Sequence, residues 1–127
     1  MGMPAAKQGD KVLATDMHQI QPPGASPLLT PHPFIGVIDG GLSSDVKIMG
    51  MPAATQNSTA TNTPAHLPIG GSFVKPPTNK ATIMMGSPTV MINNKPAARN
   101  GDTAMTCNDP ADQPLGKVVA VSTVLIA

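Results

Sequence analysis

Three histidines and one cysteine are the residues of this chain most suited to binding a metal ion. His18 and His66 each lie 14 residues after the proline of a Pro-Ala-Ala run, and Cys107 lies 11 residues after the proline of a third run. His32 stands between two prolines, which restrict its backbone. Three imidazoles and one thiolate form a complete tetrahedral ligand set for zinc. A thiolate also favours zinc or iron over magnesium or calcium.

Simpler interpretations exist for the same residues. A single histidine can be a surface or core side chain, and a free cysteine is often a small buried apolar residue. Cys107 as a nucleophile would need a general base, and the sequence shows none beside it. If His32 is not a ligand, three ligands and a water resemble a catalytic zinc site. A small zinc hydrolase with ligands His18, His66 and Cys107 is therefore the alternative function. A secreted proline-rich interaction module without metal is a third hypothesis.

The Pro-Ala-Ala runs form an internal repeat whose prolines are 48 and 44 residues apart. The copies are Pro4-Ala5-Ala6, Pro52-Ala53-Ala54 and Pro96-Ala97-Ala98-Arg99. Before the second and third copies, a Val-x-Ile pair recurs, followed by Gly50 in one copy and Asn94 in the other. Gly and Asn tolerate the positive φ of a tight turn. Each unit therefore predicts a strand, a turn, the Pro-Ala-Ala run and a second turn, which is typical of a fold built from equivalent units. Asp10 and Asp102 are interpreted as turn anchors.

Composition limits the possible functions. A chain of 127 residues predicts one domain, and two Phe with no Trp or Tyr cannot fill a large core. Such a domain needs a disulfide, a metal or a partner, and one cysteine excludes an internal disulfide. A net charge of +1 without a basic stripe gives no footprint for nucleic acid. No apolar stretch reaches about 18 residues, so no transmembrane segment is predicted. The N-terminus lacks a signal-peptide pattern.

Strand patterns occur throughout the chain. We predict a strand at 11–15, loops at 21–33 and 55–64, and a short strand within 70–77. Residues 34–38 and 44–49 are predicted to form one hairpin, and residues 80–85 and 89–92 a second. The β-branched run at 118–126 gives the strongest strand signal. No long amphipathic helix is predicted.

The repeats and the histidine placement resemble the PAAR-repeat family, named for the tetrapeptide that stands here as Pro96-Ala97-Ala98-Arg99. The first and second copies depart from it, with Lys7 and Thr55 in place of Arg. The resemblance implies a small all-β, cone-shaped domain with pseudo-threefold symmetry. It implies one structural zinc near the apex, bound by His18, His32, His66 and Cys107. We expect a single domain, 1–127, with repeats of approximately 1–48, 49–92 and 93–127, and no effector extension.

The function implied by the resemblance is mechanical, and we expect no enzyme. Family members cap and sharpen the trimeric VgrG-like spike of type VI secretion and related contractile injection systems, aiding membrane puncture and effector delivery. One chain would bind one trimer, with room for a separate effector. The hairpins at 34–49 and 80–93 and the strand at 117–126 are the candidate contacts. The protein would be cytoplasmic before assembly and secreted on the spike tip without a signal peptide.

Overall fold

The computed structural model describes residues 2–127, which form thirteen β-strands and contain no helix. The expectation of an all-β chain is confirmed. The strands are β1 (Met3–Pro4), β2 (Lys11–Gln21), β3 (Leu28–Gly40), β4 (Lys47–Ile48), β5 (Met51–Pro52), β6 (Thr59–Asn62), β7 (Ser72–Phe73), β8 (Lys80–Ile83), β9 (Met91–Ile92), β10 (Lys95–Pro96), β11 (Thr103–Thr106), β12 (Gln113–Val119) and β13 (Leu125–Ile126).

Six strands close into a small antiparallel barrel. Their order is β2, β3, β6, β8, β11 and β12, and β12 pairs with β2 to complete the ring. Closure removes the exposed edges that an open sheet would present. The interior is narrow, since the inward positions of the three shortest barrel strands include Ala60, Ala81 and Ala104, packed with Phe34 and Ile83. This packing explains how a chain with two phenylalanines fills its core.

β2 and β3 continue beyond the barrel as a long hairpin. They pair at ten consecutive positions, whereas β6, β8 and β11 each have four residues. Alternation along β2 places Asp16 and His18 on its inner, buried face. His32 of β3 is also buried and lies directly opposite Asp16. The hairpin therefore carries polar side chains on its inner face where it leaves the barrel.

Three short hairpins lie at the other end of the barrel, around the Pro-Ala-Ala runs. They are β4–β5, β9–β10 and β1–β13. Each contributes one buried isoleucine to a second apolar cluster: Ile48, Ile92 and Ile126. In the third hairpin Met3 pairs with Ile126, so the two strands come from opposite ends of the sequence and no turn connects them. Residues 125–126 thus form the strand that pairs with the start of the first Pro-Ala-Ala run.

A ring of backbone hydrogen bonds joins the three runs. The Ala6 N–H donates to the Ala98 carbonyl, Ala98 donates to Ala54, and Ala54 donates to Ala6, at 2.9–3.0 Å. The alanines one position earlier donate to hairpin valines, in the pairs Ala5 to Val124, Ala53 to Val46 and Ala97 to Val90. All six alanines are completely buried. A larger side chain would have to displace neighbouring atoms, which explains why each run contains two alanines.

The turn after each run is closed by one side chain at an equivalent position. The backbone N–H of residue 7, 55 or 99 donates to a side-chain oxygen three residues later, on Asp10, Ser58 and Asp102 respectively, at 2.7–3.0 Å. The prediction that Asp10 and Asp102 anchor turns is confirmed. In the first and third units, Lys7 and Arg99 add ion pairs to the same carboxylates.

Several predicted strand pairings are wrong. Residues 34–38 pair with β2 and β6, and residues 80–83 pair with β6 and β11. Within the two predicted hairpin segments, the hairpins that form are the shorter β4–β5 and β9–β10. The predicted loops at 21–33 and 55–64 contain the start of β3 and all of β6. The run at 118–126 is divided between β12 and β13. Local patterning favours neighbours in sequence, whereas barrel closure selects partners that are distant in the chain.

Candidate metal centre

The three histidines and the cysteine meet at the end of the molecule opposite the short hairpins. The ring centroids of His18 and His66 are 5.0 Å apart, and that of His32 lies 5.5 Å and 5.4 Å from them. The Cys107 sulfur is 3.7 Å from His18 Nε2. All four side chains are buried. The structure therefore places all four sequence-based candidates in one buried cluster, although His32 is not in the group of donor atoms that lie within 4.8 Å of one another.

Asparagines position the loops that carry His66 and Cys107. Asn79 Oδ1 accepts a hydrogen bond from the His66 backbone N–H at 2.9 Å. Asn108 Oδ1 accepts the Met17 N–H at 2.6 Å, which ties the Cys107 segment to β2. Side-chain amides can accept from one element while they donate to another, so they can lock irregular backbone against a strand.

Asp16 also belongs to this cluster, and the sequence analysis did not identify it. Its side chain is completely buried, and its Oδ2 lies 2.9 Å from His66 Nε2 and 3.5 Å from the Cys107 sulfur. Donor atoms of Asp16, His18, His66 and Cys107 all lie within 4.8 Å of one another, a suitable arrangement for a metal ion. The available signal was strand alternation, since Asp16 is two residues before His18 on β2.

The hydrogen bonds of His32 leave one ring nitrogen available. His32 Nδ1 lies 2.9 Å from the Thr30 carbonyl, which can only accept, so Nδ1 carries the proton. His32 Nε2 is then an acceptor, is buried, and has no hydrogen-bond partner within residues 2–127. A buried polar atom without a partner costs free energy. A metal ion bound at this nitrogen would remove that cost, so the residues present suit a metal.

His18 has its own neighbouring carboxylate. Its Nδ1 lies 3.6 Å from Asp109 Oδ2, and both side chains are nearly inaccessible to solvent. A carboxylate behind an imidazole is a common way to orient a metal-binding histidine. Asp109 was also absent from the sequence-based candidates, although it follows Cys107 by two residues.

Burial controls the protonation of the cluster. It lowers the pKa of His18, assisted by the neighbouring His66, so the neutral imidazole that binds metals is favoured. Burial, together with Asp16, raises the pKa of the Cys107 thiol to about 11. A thiol must lose its proton to become a metal ligand. Metal binding at neutral pH would therefore release the Cys107 proton.

The structure places Cys107, His18 and Asp109 in the order of a nucleophile, a base and an orienting carboxylate. The sequence alone did not show that His18 lies beside Cys107 as a possible base. The high pKa of Cys107 nevertheless keeps it a neutral thiol, and only 3% of the residue is exposed. Both properties oppose nucleophilic catalysis.

A cavity of about 210 Å³ beside His32 and His66 is lined mainly by apolar atoms.

Comparison with known families identifies the group to which this fold and cluster belong. The family described as PAAR motif matches residues 30–111 and again residues 74–126. The chain belongs to the PAAR-motif family. The matches include two of the three Pro-Ala-Ala runs together with His32, His66 and Cys107, and they begin after His18. No curated protein matches the chain.

Within residues 2–127, no helix is long and apolar enough to cross a membrane.

Proposed function

We propose that this protein is a structural tip protein that caps the trimeric VgrG-like spike of a type VI secretion system, with one chain on each trimer. It would sharpen the spike, aid membrane puncture and carry a separate effector. It would be cytoplasmic before assembly and leave the cell on the spike. Residues 1–127 would act as one domain of three repeats, approximately 1–48, 49–92 and 93–127. Membership of the PAAR-motif family supports this proposal.

The observation that carries the proposal is the threefold hydrogen-bond ring of a single chain. A trimeric spike presents three equivalent ends, and three similar hairpins can contact them through one polypeptide. Matching outer positions of the hairpins are Lys47, Met91 and Leu125, which are all exposed. Met91 and Leu125 are 57% and 62% exposed, which is high for large apolar side chains. A partner surface would bury them.

We also propose that the cluster binds one structural zinc through His18, His32, His66 and Cys107. Zinc accepts this donor set, and bound metal would hold together β2, β3 and the two loops that carry His66 and Cys107. Because the assembled site exists only in the folded chain, the free energy of metal binding would add to the free energy of folding.

Spike binding can be measured by coexpression with the trimeric spike protein of the same secretion system, followed by native mass spectrometry. We expect one chain per trimer. Replacing both Met91 and Leu125 with Asp should weaken the complex at least about tenfold, because charges would be buried against the spike. A mass corresponding to three chains per trimer would overturn the proposed stoichiometry.

Ile69→Asp is the matched control, since Ile69 is 77% exposed and lines the cavity near the metal centre. It makes the same apolar-to-acidic change at the opposite end and should leave spike binding unchanged. If Ile69→Asp prevented binding while the hairpin variants bound normally, the other end of the molecule would be the contact surface.

A further inference from the structure

Asp16 is a completely buried carboxylate whose hydrogen bonds depend on its two neighbours in the cluster. Its Oδ2 is 2.9 Å from His66 Nε2 and 3.5 Å from the Cys107 sulfur. Within residues 2–127, the other oxygen, Oδ1, has only Asn108 Nδ2 as a partner, at the long distance of 3.5 Å. A carboxylate accepts hydrogen bonds and cannot donate them, so His66 Nε2 and the Cys107 sulfur must both be the hydrogen-bond donors to Oδ2.

The hydrogen bonds on the other side of His66 indicate which of its ring nitrogens carries the hydrogen. Asn62 Oδ1 accepts the Ile35 backbone N–H at 2.8 Å, so Asn62 Nδ2 faces His66 Nδ1 at 3.3 Å. Nδ1 therefore accepts, and Nε2 carries the proton that is donated to Asp16. The carboxylate thus receives hydrogens from two groups that become ligands when a metal binds.

Metal binding removes both of these hydrogen bonds. Cys107 binds as a thiolate. His66 faces the cluster through Nε2, so metal binding there moves its proton to Nδ1 and gives up the 3.3 Å contact with Asn62 Nδ2; neither group can then donate to Oδ2. Among residues 2–127 no other side chain is within hydrogen-bond distance of that oxygen. A buried carboxylate oxygen without a partner is strongly unfavourable. The metal itself is the remaining positive partner.

The charges of the cluster lead to the same conclusion. A divalent ion with one thiolate and three neutral imidazoles carries a net charge of +1. Asp16 supplies one negative charge in the interior of the same cluster. Including its carboxylate among the ligands makes the ligand shell neutral, which reduces the cost of burying the ion. Asp109, the other nearby carboxylate, contacts His18 at Nδ1, whereas Cys107 lies at Nε2 of the same ring.

We propose that Asp16 binds the metal through Oδ2 as a fifth ligand beside His18, His32, His66 and Cys107. This proposal rests on the proposed metal centre and extends it from four donors to five. A centre with a carboxylate and five donors also suits Co²⁺, Ni²⁺ and Fe²⁺ better than a closed four-ligand zinc site does. Asp16 is thereby a determinant of metal preference in this chain.

The test is spectroscopy of the metal-loaded full chain. Co²⁺ replaces zinc, and its visible bands are intense in four-coordinate and weaker in five-coordinate sites. Zinc X-ray absorption counts the ligands independently. We expect wild-type protein to show five-coordinate metal by both methods. Asp16→Asn should give intensified Co²⁺ bands and bind Co²⁺ about tenfold to a hundredfold more weakly, a loss comparable to that found when a group supporting a metal site is removed.

Asp102→Asn is the control, because Asp102 is a buried carboxylate in a turn at the other end of the molecule. It should leave the Co²⁺ spectrum unchanged. Wild-type protein with four-coordinate metal would overturn the five-ligand centre. If His32→Ala then abolished metal binding while Asp16→Asn left the Co²⁺ spectrum and affinity unchanged, the role of Asp16 would be overturned and the metal centre would remain. Failure of wild-type protein to bind Co²⁺ or Zn²⁺ would instead overturn the metal centre itself.

Discussion

At the scale of single residues, the centre is defined by which polar atoms have partners and which do not. His32 Nδ1 faces a carbonyl, while His32 Nε2 is buried without a partner in the described part of the chain. Asp16 depends on donors that a metal would replace. These residues lie beyond the closed barrel, where β7 and the segment of Asn108 and Asp109 contact the β2–β3 hairpin. Without metal, the unpartnered polar groups of the cluster are expected to lower the stability of this end of the molecule.

His32→Ala should reduce both zinc retention and thermal stability. The substitution removes a proposed ligand, so zinc affinity should fall at least about tenfold, corresponding to about 1.4 kcal/mol. Melting before and after chelation measures the part of the stability that depends on metal. The difference between the two melting temperatures should be smaller in the variant. Equal zinc content and an equal chelation shift in both proteins would show that His32 is not a ligand.

The metal-free protein should lose stability as the pH falls below about 6.5, the ordinary pKa of histidine. Burial lowers the pKa of His18 in the folded state, so the unfolded chain binds more protons over this range. The contribution of neutral His18 is present above that pH and is lost as the pH falls towards the folded pKa. Urea unfolding of the chelated protein at a series of pH values measures this dependence.

His18→Gln is the control for the pH experiment, because glutamine retains polar atoms but does not titrate. Its unfolding free energy should vary less between about pH 7 and pH 5 than that of the wild type. An identical pH dependence in the two proteins would show that another group is responsible.

At the scale of elements, the same hairpin geometry recurs with different residues. Met49 and Gly50 have φ values of 51° and 81°, and Asn93 and Asn94 have 52° and 65°. Two consecutive positive φ values characterise the two-residue hairpin turn whose twist matches that of its strands. The correspondence of Gly50 with Asn94, noted in the sequence, therefore has a conformational cause.

Gly50→Ala should destabilise the protein by about 1–2 kcal/mol, because an L-residue with a Cβ is strained at positive φ. Apart from its chain neighbours, no heavy atom of residues 2–127 lies within 4 Å of the added Cβ, so steric contact would contribute little. Gly50→Asn makes the matched comparison and should cost clearly less, since asparagine occupies this position in the next hairpin. Denaturant unfolding of both variants measures the difference. Equal losses would show that φ is not the cause.

At the scale of the whole molecule, one chain completes a threefold arrangement by pairing its two end segments. β13 pairs with β1, and Ser87 Oγ donates to the Ala127 carbonyl. Ile126 is buried with Ile48 and Ile92 in the cluster that underlies the hairpins. The third hairpin is thus equivalent to the other two, although it has no covalent turn.

Deleting residues 120–127 should destabilise the fold by several kcal/mol. The deletion exposes the Ala5 N–H, which donates to the Val124 carbonyl, and removes buried Ile126, worth about 1.5–3 kcal/mol alone. Calorimetric unfolding measures this loss. An unchanged melting temperature would show that the third hairpin does not contribute to stability.

A circular permutant supplies the matched comparison for the deletion. It would start at Gly50, end at Met49 and join residues 127 and 2 through a short glycine linker. We expect it to keep its melting temperature within a few degrees, because the chain is then interrupted at an exposed turn. A permutant opened within β2 should not fold, since that strand pairs with three others. Equal behaviour of the two permutants would contradict this account.

The sequence by itself revealed the three repeats and identified most of the metal-ligand candidates. Glycine and asparagine mark positive φ, paired alanines mark close backbone contact, and histidine with cysteine marks metal chemistry, because each property belongs to the residue type. Their equal spacing from the Pro-Ala-Ala prolines relates His18 to His66. These inferences needed only local chemistry and the period of the repeat.

Tertiary structure alone decided which strands pair and which groups surround the ligands. Residues 34–38 and 80–83 could each have formed a local hairpin, but barrel closure buries Phe34 and Ile83 together with distant strands. Asp16 resembled any polar residue of a strand until the fold placed it opposite His32 and against Cys107. Burial, and therefore the pKa of Cys107, results from contacts between segments about 90 residues apart in sequence. Such contacts depend on the closed chain and not on local pattern.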